Sequence, residues 1–198
     1  MMEILIVNTG VGNVESIRNI LNRIGLKTKI SSLDEDFSKF DKFIIPGVGN
    51  FDRAMNELKT YHSFNLLKKK KFFDGKFVLG ICLGMHLLFD ESEEGEEKGL
   101  GLFQGKVKKF KSENLRIPHM GWNNVYGNNF YSDLNNEKFY FAHSYYVDCK
   151  EEYIYAYSDY SIKFPAIVKQ NNLYGIQFHP EKSNQNGIEL LRKIFRYK

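Results

Sequence analysis

Residues 77–92 read Phe77-Val-Leu-Gly-Ile-Cys-Leu-Gly-Met-His-Leu-Leu-Phe-Asp-Glu-Ser92, and they leave the chain few folds to choose from. The apolar run Phe77, Val78, Leu79, Ile81 predicts a buried strand. It leads directly into Gly80-Ile81-Cys82-Leu83-Gly84, then into helical spacing at Leu83, Leu87 and Leu88. Strand, glycine-flanked nucleophile and helix together form the pattern of a nucleophile elbow, with cysteine in place of serine. Such a turn is too tight for side chains beside the nucleophile, and glycine tolerates the strained dihedrals it needs. Cys82 would then sit at a helix N-terminus, where free N–H groups and the macrodipole favour a thiolate. A buried cysteine in a glycine-rich turn would give the same letters, so the reading needs support from elsewhere in the chain.

The residues before the elbow alternate strand and helix. Ile4-Leu5-Ile6-Val7 is a continuous apolar run, as expected of a central parallel strand buried on both faces. After the glycine-rich turn Asn8–Asn13, residues 14–24 show helical spacing (Val14, Ile17, Ile20, Leu21, Ile24) and stop at Gly25. A phosphate-binding reading of Gly10 and Gly12 is weak, because Glu15 stands where G-x-G-x-x-G needs glycine. Residues 26–31 predict a second strand and Lys42–Ile45 a third, which ends in Pro46-Gly47-Val48-Gly49-Asn50 before a helix near Phe51. That loop is either a simple turn or a set of backbone N–H groups presented to an oxyanion. One or more helices cover roughly 62–73. The alternation predicts an α/β fold with a mainly parallel central sheet flanked by helices. Ligands in such folds bind beyond the carboxyl ends of the strands, where Cys82 and the 46–50 loop would both lie.

From about residue 100 the texture changes to shorter, aromatic-rich strands at Leu102–Phe110, Trp122–Tyr126, Phe139–Ala142, Tyr153–Tyr157, Ala166–Lys169 and Leu173–Phe178. These predict antiparallel strands added in the C-terminal half, with a hairpin at Gln170-Asn171-Asn172. Residues 183–198 predict a closing helix with Ile188, Leu190, Leu191, Ile194 and Phe195 inward and Ser183 as its N-cap. At 198 residues the whole chain, 1–198, reads as one domain. A net charge of +4 is too balanced to call for nucleic acid. The one basic cluster, Lys68–Lys71, is either a solvated helix end or a site for an anionic partner. Two cysteines suggest a reducing compartment. The N-terminus lacks the features of a signal peptide and no apolar run is long enough to span a membrane, so the expected location is cytoplasmic.

Support for the elbow comes from Leu173-Tyr-Gly-Ile-Gln-Phe-His179, which runs into Pro180-Glu181-Lys182-Ser183. In an extended segment His179 and Glu181 point to the same side, and Pro180 biases His179 away from helix. A histidine at a strand end is often structural. With a cysteine elbow and a carboxylate two residues on, it becomes the base of a nucleophile–base–orienter set.

Taken jointly, Gly80-Ile-Cys-Leu-Gly84, Pro46-Gly-Val-Gly49 and Phe178-His-Pro-Glu181 resemble the class I, triad-type glutamine amidotransferases. Pro118-His-Met-Gly-Trp-Asn123, Tyr140-Phe-Ala-His-Ser-Tyr145 and Gln177–Ser183 narrow the resemblance to the glutaminase subunits of imidazole glycerol phosphate synthase, from end to end. The resemblance implies that Cys82 attacks the glutamine amide, that His179 shuttles the proton and that Glu181 holds the ring. It implies an oxyanion site at the amides of Val48, Gly49 and Leu83, and substrate contacts from Gly49, His86, His143, Ser144 and Tyr145. It implies no metal and no cofactor, and glutamine as substrate. The partner would be a (β/α)8-barrel cyclase subunit that receives the ammonia in a heterodimer, with no role for nucleic acid or membrane. Pro118, His119, Met120, Gly121, Trp122, Asn123 and Lys182 match positions at the partner interface, although Trp122 also reads as a core aromatic. The block Gly10–Asn13, with Asn13 at its end, is expected to face the partner too. The oxyanion loop is expected to be arranged only when the partner is loaded.

One departure stands out. These enzymes usually have glutamine where this chain has His86, one helical turn after Cys82. A neutral imidazole offers one donor and one acceptor against the amide's two donors and carbonyl. Either His86 keeps a weakened substrate contact or it alters the thiol. Three rival functions stay open: a glutaminase serving an N-sugar amidotransferase system for surface polysaccharides, a non-catalytic scaffold for the barrel, and a cysteine hydrolase or protease on the same fold.

Overall fold

Strands that are apolar on both faces must lie inside a sheet, and the first half of the chain supplies three of them, with a fourth, more polar strand at the sheet's edge. The computed structural model describes residues 3–196; for Asn129, Phe130 and Arg196 it describes the backbone alone. Strands β1 (Ile4–Ile6), β2 (Thr28–Ile30), β3 (Lys42–Gly47) and β4 (Phe77–Cys82) alternate with helices α1 (Val14–Arg23), α2 (Phe51–Lys59) and the single turn α3 (Phe64–Leu67). Helix α4 (Leu83–Leu87) follows β4 without a break, and α5 (Asn184–Arg196) closes the described chain. The second half adds β5 (Glu91–Ser92), β6 (Gly105–Lys109), β7 (His119–Gly127), β8 (Glu137–His143), β9 (Tyr145–Cys149), β10 (Ile154–Tyr160), β11 (Ile162–Gln170) and β12 (Leu173–Ile176).

Nine of these strands form one sheet in the order β2-β1-β3-β4-β12-β11-β10-β7-β8, and β5-β6-β9 form a second, small sheet. Strands β2 through β12 in that order run parallel, and β11, β10, β7 and β8 extend the sheet antiparallel. The two-residue period of each strand sends alternate side chains to opposite faces. Ile4, Ile6, Ile44, Leu79 and Ile81 meet Ile17 and Leu21 of α1 and Leu191 of α5 on one face. Leu5, Phe43, Ile45 and Val78 meet Met55 and Leu58 of α2 and Met85 of α4 on the other. Each such side chain, fully buried, contributes roughly 1.5–3 kcal/mol.

Several expected boundaries move. The helical stretch at 62–73 divides into α3 and a 3-10 turn, Lys70–Phe73, with the Lys68–Lys71 cluster exposed. The strand expected from Leu102 starts at Gly105, because Leu102 and Phe103 turn into the core, where Phe103 stacks on Phe89 at 5.3 Å. The closing helix runs Asn184–Arg196, and Tyr197 and Lys198 of the expected helix lie outside the described residues. Ser183 is not a side-chain cap for it. Its hydroxyl donates to the His179 carbonyl (2.6 Å) and accepts from the Tyr140 N–H (3.0 Å). The antiparallel extension thereby curls back, with Tyr140 of β8 bridged to His179 beyond the end of β12.

Candidate active site

Cys82 ends β4 at φ +53°, ψ −112°, and α4 begins at the next residue. A non-glycine residue there carries strain of order 1–3 kcal/mol, which persists only where packing over-determines the turn. The packing is tight. A Cβ on Gly84 would fall 1.6 Å from the Ile45 carbonyl oxygen, and one on Gly80 would fall 2.6 Å from the Gly84 carbonyl oxygen. Both flanking glycines let backbone lie where a side chain would otherwise be. The Cys82 sulfur is 3.8 Å from the Ala142 carbonyl of the overhanging β8. Cys149, the other cysteine, is partly buried in β9, and burial pushes its thiol up to about 12, which leaves it unreactive.

His179 is fixed through its backbone. Its N–H donates to the Tyr140 carbonyl (2.9 Å), and Ser183 donates to its own carbonyl. Its Nδ1 lies 2.8 Å from Glu181 Oε1, with both side chains buried. A carboxylate can only accept, so Nδ1 carries a proton. Nε2 is buried without a hydrogen-bond partner in the fold. Burial disfavours the charged ring, yet the adjacent Cys82 and the Glu181 carboxylate outweigh it and raise the imidazole to about 10. The raised imidazole favours a proton on the ring that neighbours the sulfur.

A cavity of about 300 Å³ opens over the sulfur. Gly49, Leu83, His86, His143, Ser144 and Tyr145 line it, as do Glu94 and Pro118. Val48 does not reach its wall and is 38% exposed. The loop before α1 lies against this edge through Thr9, whose hydroxyl is 3.0 Å from the Pro46 carbonyl. Two larger cavities, of about 550 and 630 Å³, lie away from the sulfur, one by the Gln170–Asn172 hairpin and one by Trp122. His86 donates from Nε2 to Gln177 Oε1 across 2.9 Å, and burial holds its ring neutral, down at about 4. Glu94 accepts from the Phe51 N–H at the start of α2 (3.1 Å), and burial raises its carboxyl. Sequence reasoning passes over both partners. Gln177 shares the two-residue period of His179 and Glu181 and is findable on that ground, whereas Glu94 is one of several acids in a row.

The positions matched to the partner interface divide. Met120 and Trp122 are 63% and 48% exposed, so the core reading of Trp122 fails; its ring meets Tyr140 edge-on at 6.2 Å. The Lys182 ammonium sits 5.7 Å from the same tyrosine ring. Asn13 is exposed and caps α1 by accepting from the Ser16 N–H. His119 lines the groove beside Trp122 from within. It is 3% exposed, because its ring stacks between Tyr160 and Phe141. Among the described residues no cluster of His, Cys, Asp and Glu is arranged to hold a metal ion, and no helix is long and apolar enough to cross a membrane.

A strained cysteine at the carboxyl edge of a parallel sheet, with a buried His–Glu pair beside it, is the constellation of a triad-type cysteine enzyme. The chain belongs to the glutamine amidotransferase class-I family, which matches residues 5–197, and within it to the group of imidazole glycerol phosphate synthase subunits named HisH. It is 45% identical to subunit HisH 2 from Methanococcus maripaludis, over 98% of both chains. Identity is 44% to subunit HisH from Listeria monocytogenes and 41% to that from Bacillus subtilis, each over 96% of this chain and 93% of the relative. The fold matches the crystal structure of a glutamine amidotransferase with a TM-score of 0.76 at 18% identity, over 98% of this chain and 97% of that one. The structure of PurLQS from Thermotoga maritima matches with a TM-score of 0.74 at 16% identity, over 100% of this chain and 99% of that one.

Proposed function

We propose that this chain is the glutaminase subunit of an imidazole glycerol phosphate synthase, feeding ammonia to a (β/α)8-barrel cyclase in histidine biosynthesis. One observation carries the reading: the Cys82 elbow and the buried His179–Glu181 pair stand together in a chain that is 45% identical, over nearly its full length, to a HisH protein. The Cys82 thiolate attacks the side-chain carboxamide carbon of glutamine. The C–S bond forms, and negative charge moves to the oxygen, where the amides of Gly49, Leu83 and, after a loop adjustment, Val48 stabilise it. Collapse breaks the C–N bond as the His179 imidazolium protonates the departing nitrogen, leaving a glutamyl thioester and ammonia. Forming the thioester removes the thiolate charge that holds up the imidazole pKa, so the ring gives up its proton easily. It then takes one from water to release glutamate. His143, Ser144 and Tyr145 hold the substrate opposite the sulfur, and His86 keeps one weakened contact to it.

The exposed Met120 and Trp122, with Lys182 and Tyr140 beside them, form the face toward the barrel. The cytoplasm is the compartment this reading calls for. Glutamate release should be slow for the isolated chain and rise by at least ~100-fold with the loaded barrel, an effect of the size that completing an oxyanion site gives. Equal rates with and without the barrel would defeat the coupling. A barrel that co-purifies with this chain and spends the ammonia on an N-sugar in place of the ribulosyl-aminoimidazole-carboxamide nucleotide would move the chain to polysaccharide synthesis.

A further inference from the structure

The cavity wall at residues 143–145 is held by a hydrogen-bonded chain that starts outside the cavity. His143 Nδ1 is 2.8 Å from the Tyr145 carbonyl, His143 Nε2 is 3.0 Å from His119 Nδ1, and His119 Nε2 is 3.2 Å from Asn123 Nδ2. The direction of every bond follows from the ends. A carbonyl only accepts, so His143 carries its proton on Nδ1 and, being neutral, accepts at Nε2. His119 must then donate from Nδ1 and accept at Nε2, and Asn123 must donate. The outer end gives the same answer independently. Asn123 Oδ1 accepts from the Asn124 N–H (2.8 Å), and its amide nitrogen also donates to the Asp159 carbonyl (2.8 Å). Both rings are buried, and burial lowers the pKa of each, so neither is charged at neutral pH.

We infer that His119 is a positioning residue for glutamine: through His143 it fixes the His143–Tyr145 wall, and through Asn123 it ties that wall to the groove beside Trp122. The inference rests on the glutaminase reading above. The groove, about 630 Å³, is lined by Met120, Trp122, Asn123, Tyr160 and Ile162, so whatever docks there touches the outer end of the chain. The inner end bears on the substrate contacts at His143–Tyr145; the sulfur meets the same strand one residue earlier, at the Ala142 carbonyl, and none of the hydrogen bonds of the chain reaches it. Loss of the chain therefore falls on KM and spares kcat.

The test is glutamine hydrolysis by the complex with the barrel. His119→Phe keeps a ring between Tyr160 and Phe141 but loses both nitrogens. It should raise KM for glutamine about tenfold, the cost of one buried hydrogen bond left unmade, with kcat within about twofold. His119→Asn returns a donor toward His143 and should recover most of the KM. An unchanged KM in His119→Phe, or a fall in kcat alone, overturns the proposal. If His119→Phe does not fold, nitrogen-15 spectra of histidine in the wild-type chain decide. Both rings should be neutral with the proton on Nδ1, and a proton on Nε2 of either ring at neutral pH overturns the chain. A wild-type complex that hydrolyses no glutamine would overturn the glutaminase reading, and the tautomers would still judge the chain.

Discussion

His86 shows how much one side chain decides. Its Nε2 proton is spent on Gln177, and burial keeps the ring uncharged, so only Nδ1 remains to meet a substrate, and it can only accept. An amide at this position would offer a donor as well. His86→Gln is therefore expected to lower KM for glutamine by about two- to tenfold, the worth of one neutral hydrogen bond, with little change in kcat. Steady-state kinetics of the complex measure this, and an unchanged KM would remove His86 from the binding site. The residues that form the site are legible to different degrees. Cys82, His179 and Glu181 announce themselves through local spacing and proline. Gln177 gives no local sign of its partner, because His86 lies on a different element and meets it only when β12 pairs with β4.

At the scale of elements, the elbow is the place where local and tertiary requirements coincide. β3 and β4 pair in parallel up to Gly47↔Cys82, and α4 then turns back so closely that Gly84 touches the β3 backbone. Gly84→Ala would drive a methyl group into the Ile45 carbonyl. Overpacking of this kind costs typically 1–3 kcal/mol, and more where backbone must move. The expected result is a urea midpoint lowered accordingly and an elbow unable to present the sulfur, seen as loss of glutamate release. A variant with the wild-type midpoint would show slack that the geometry denies. Parallel strands β1, β3 and β4 are legible because continuous apolar runs have one explanation. Strands β5 and β9 are not, since Glu91-Ser92 and Tyr145–Cys149 find their strand partner in the distant β6. Ser183 misleads for the same reason: its letter suits a cap, but the returning β8 offers the Tyr140 N–H and its hydroxyl is drawn there.

Across the whole molecule, curling the antiparallel extension over the carboxyl edge buries four histidines, at 86, 119, 143 and 179, and the fold treats them in opposite ways. His179 is raised to about 10, so its stabilisation is fully present below 6.5, its unfolded value, and is lost as pH climbs through about 10. His86 and His119 are lowered to about 4, and His143 is lowered as well. Below 6.5 the unfolded chain takes up protons that these folded rings refuse, so stability falls between 6.5 and about 4. Each ring contributes a slope approaching ~1.4 kcal/mol per pH unit. Stability should therefore peak near neutrality and decline on both sides, more steeply on the acid side, where three rings act together. Urea midpoints measured from about pH 4.5 to about pH 10 test this. In His86→Gln one ring is gone, so the acid limb should flatten by about one ring's slope while the alkaline limb stays as it was. An acid limb of unchanged steepness would mean that His86 takes up its proton inside the folded protein, and the neutral donor to Gln177 could not then be the resident form.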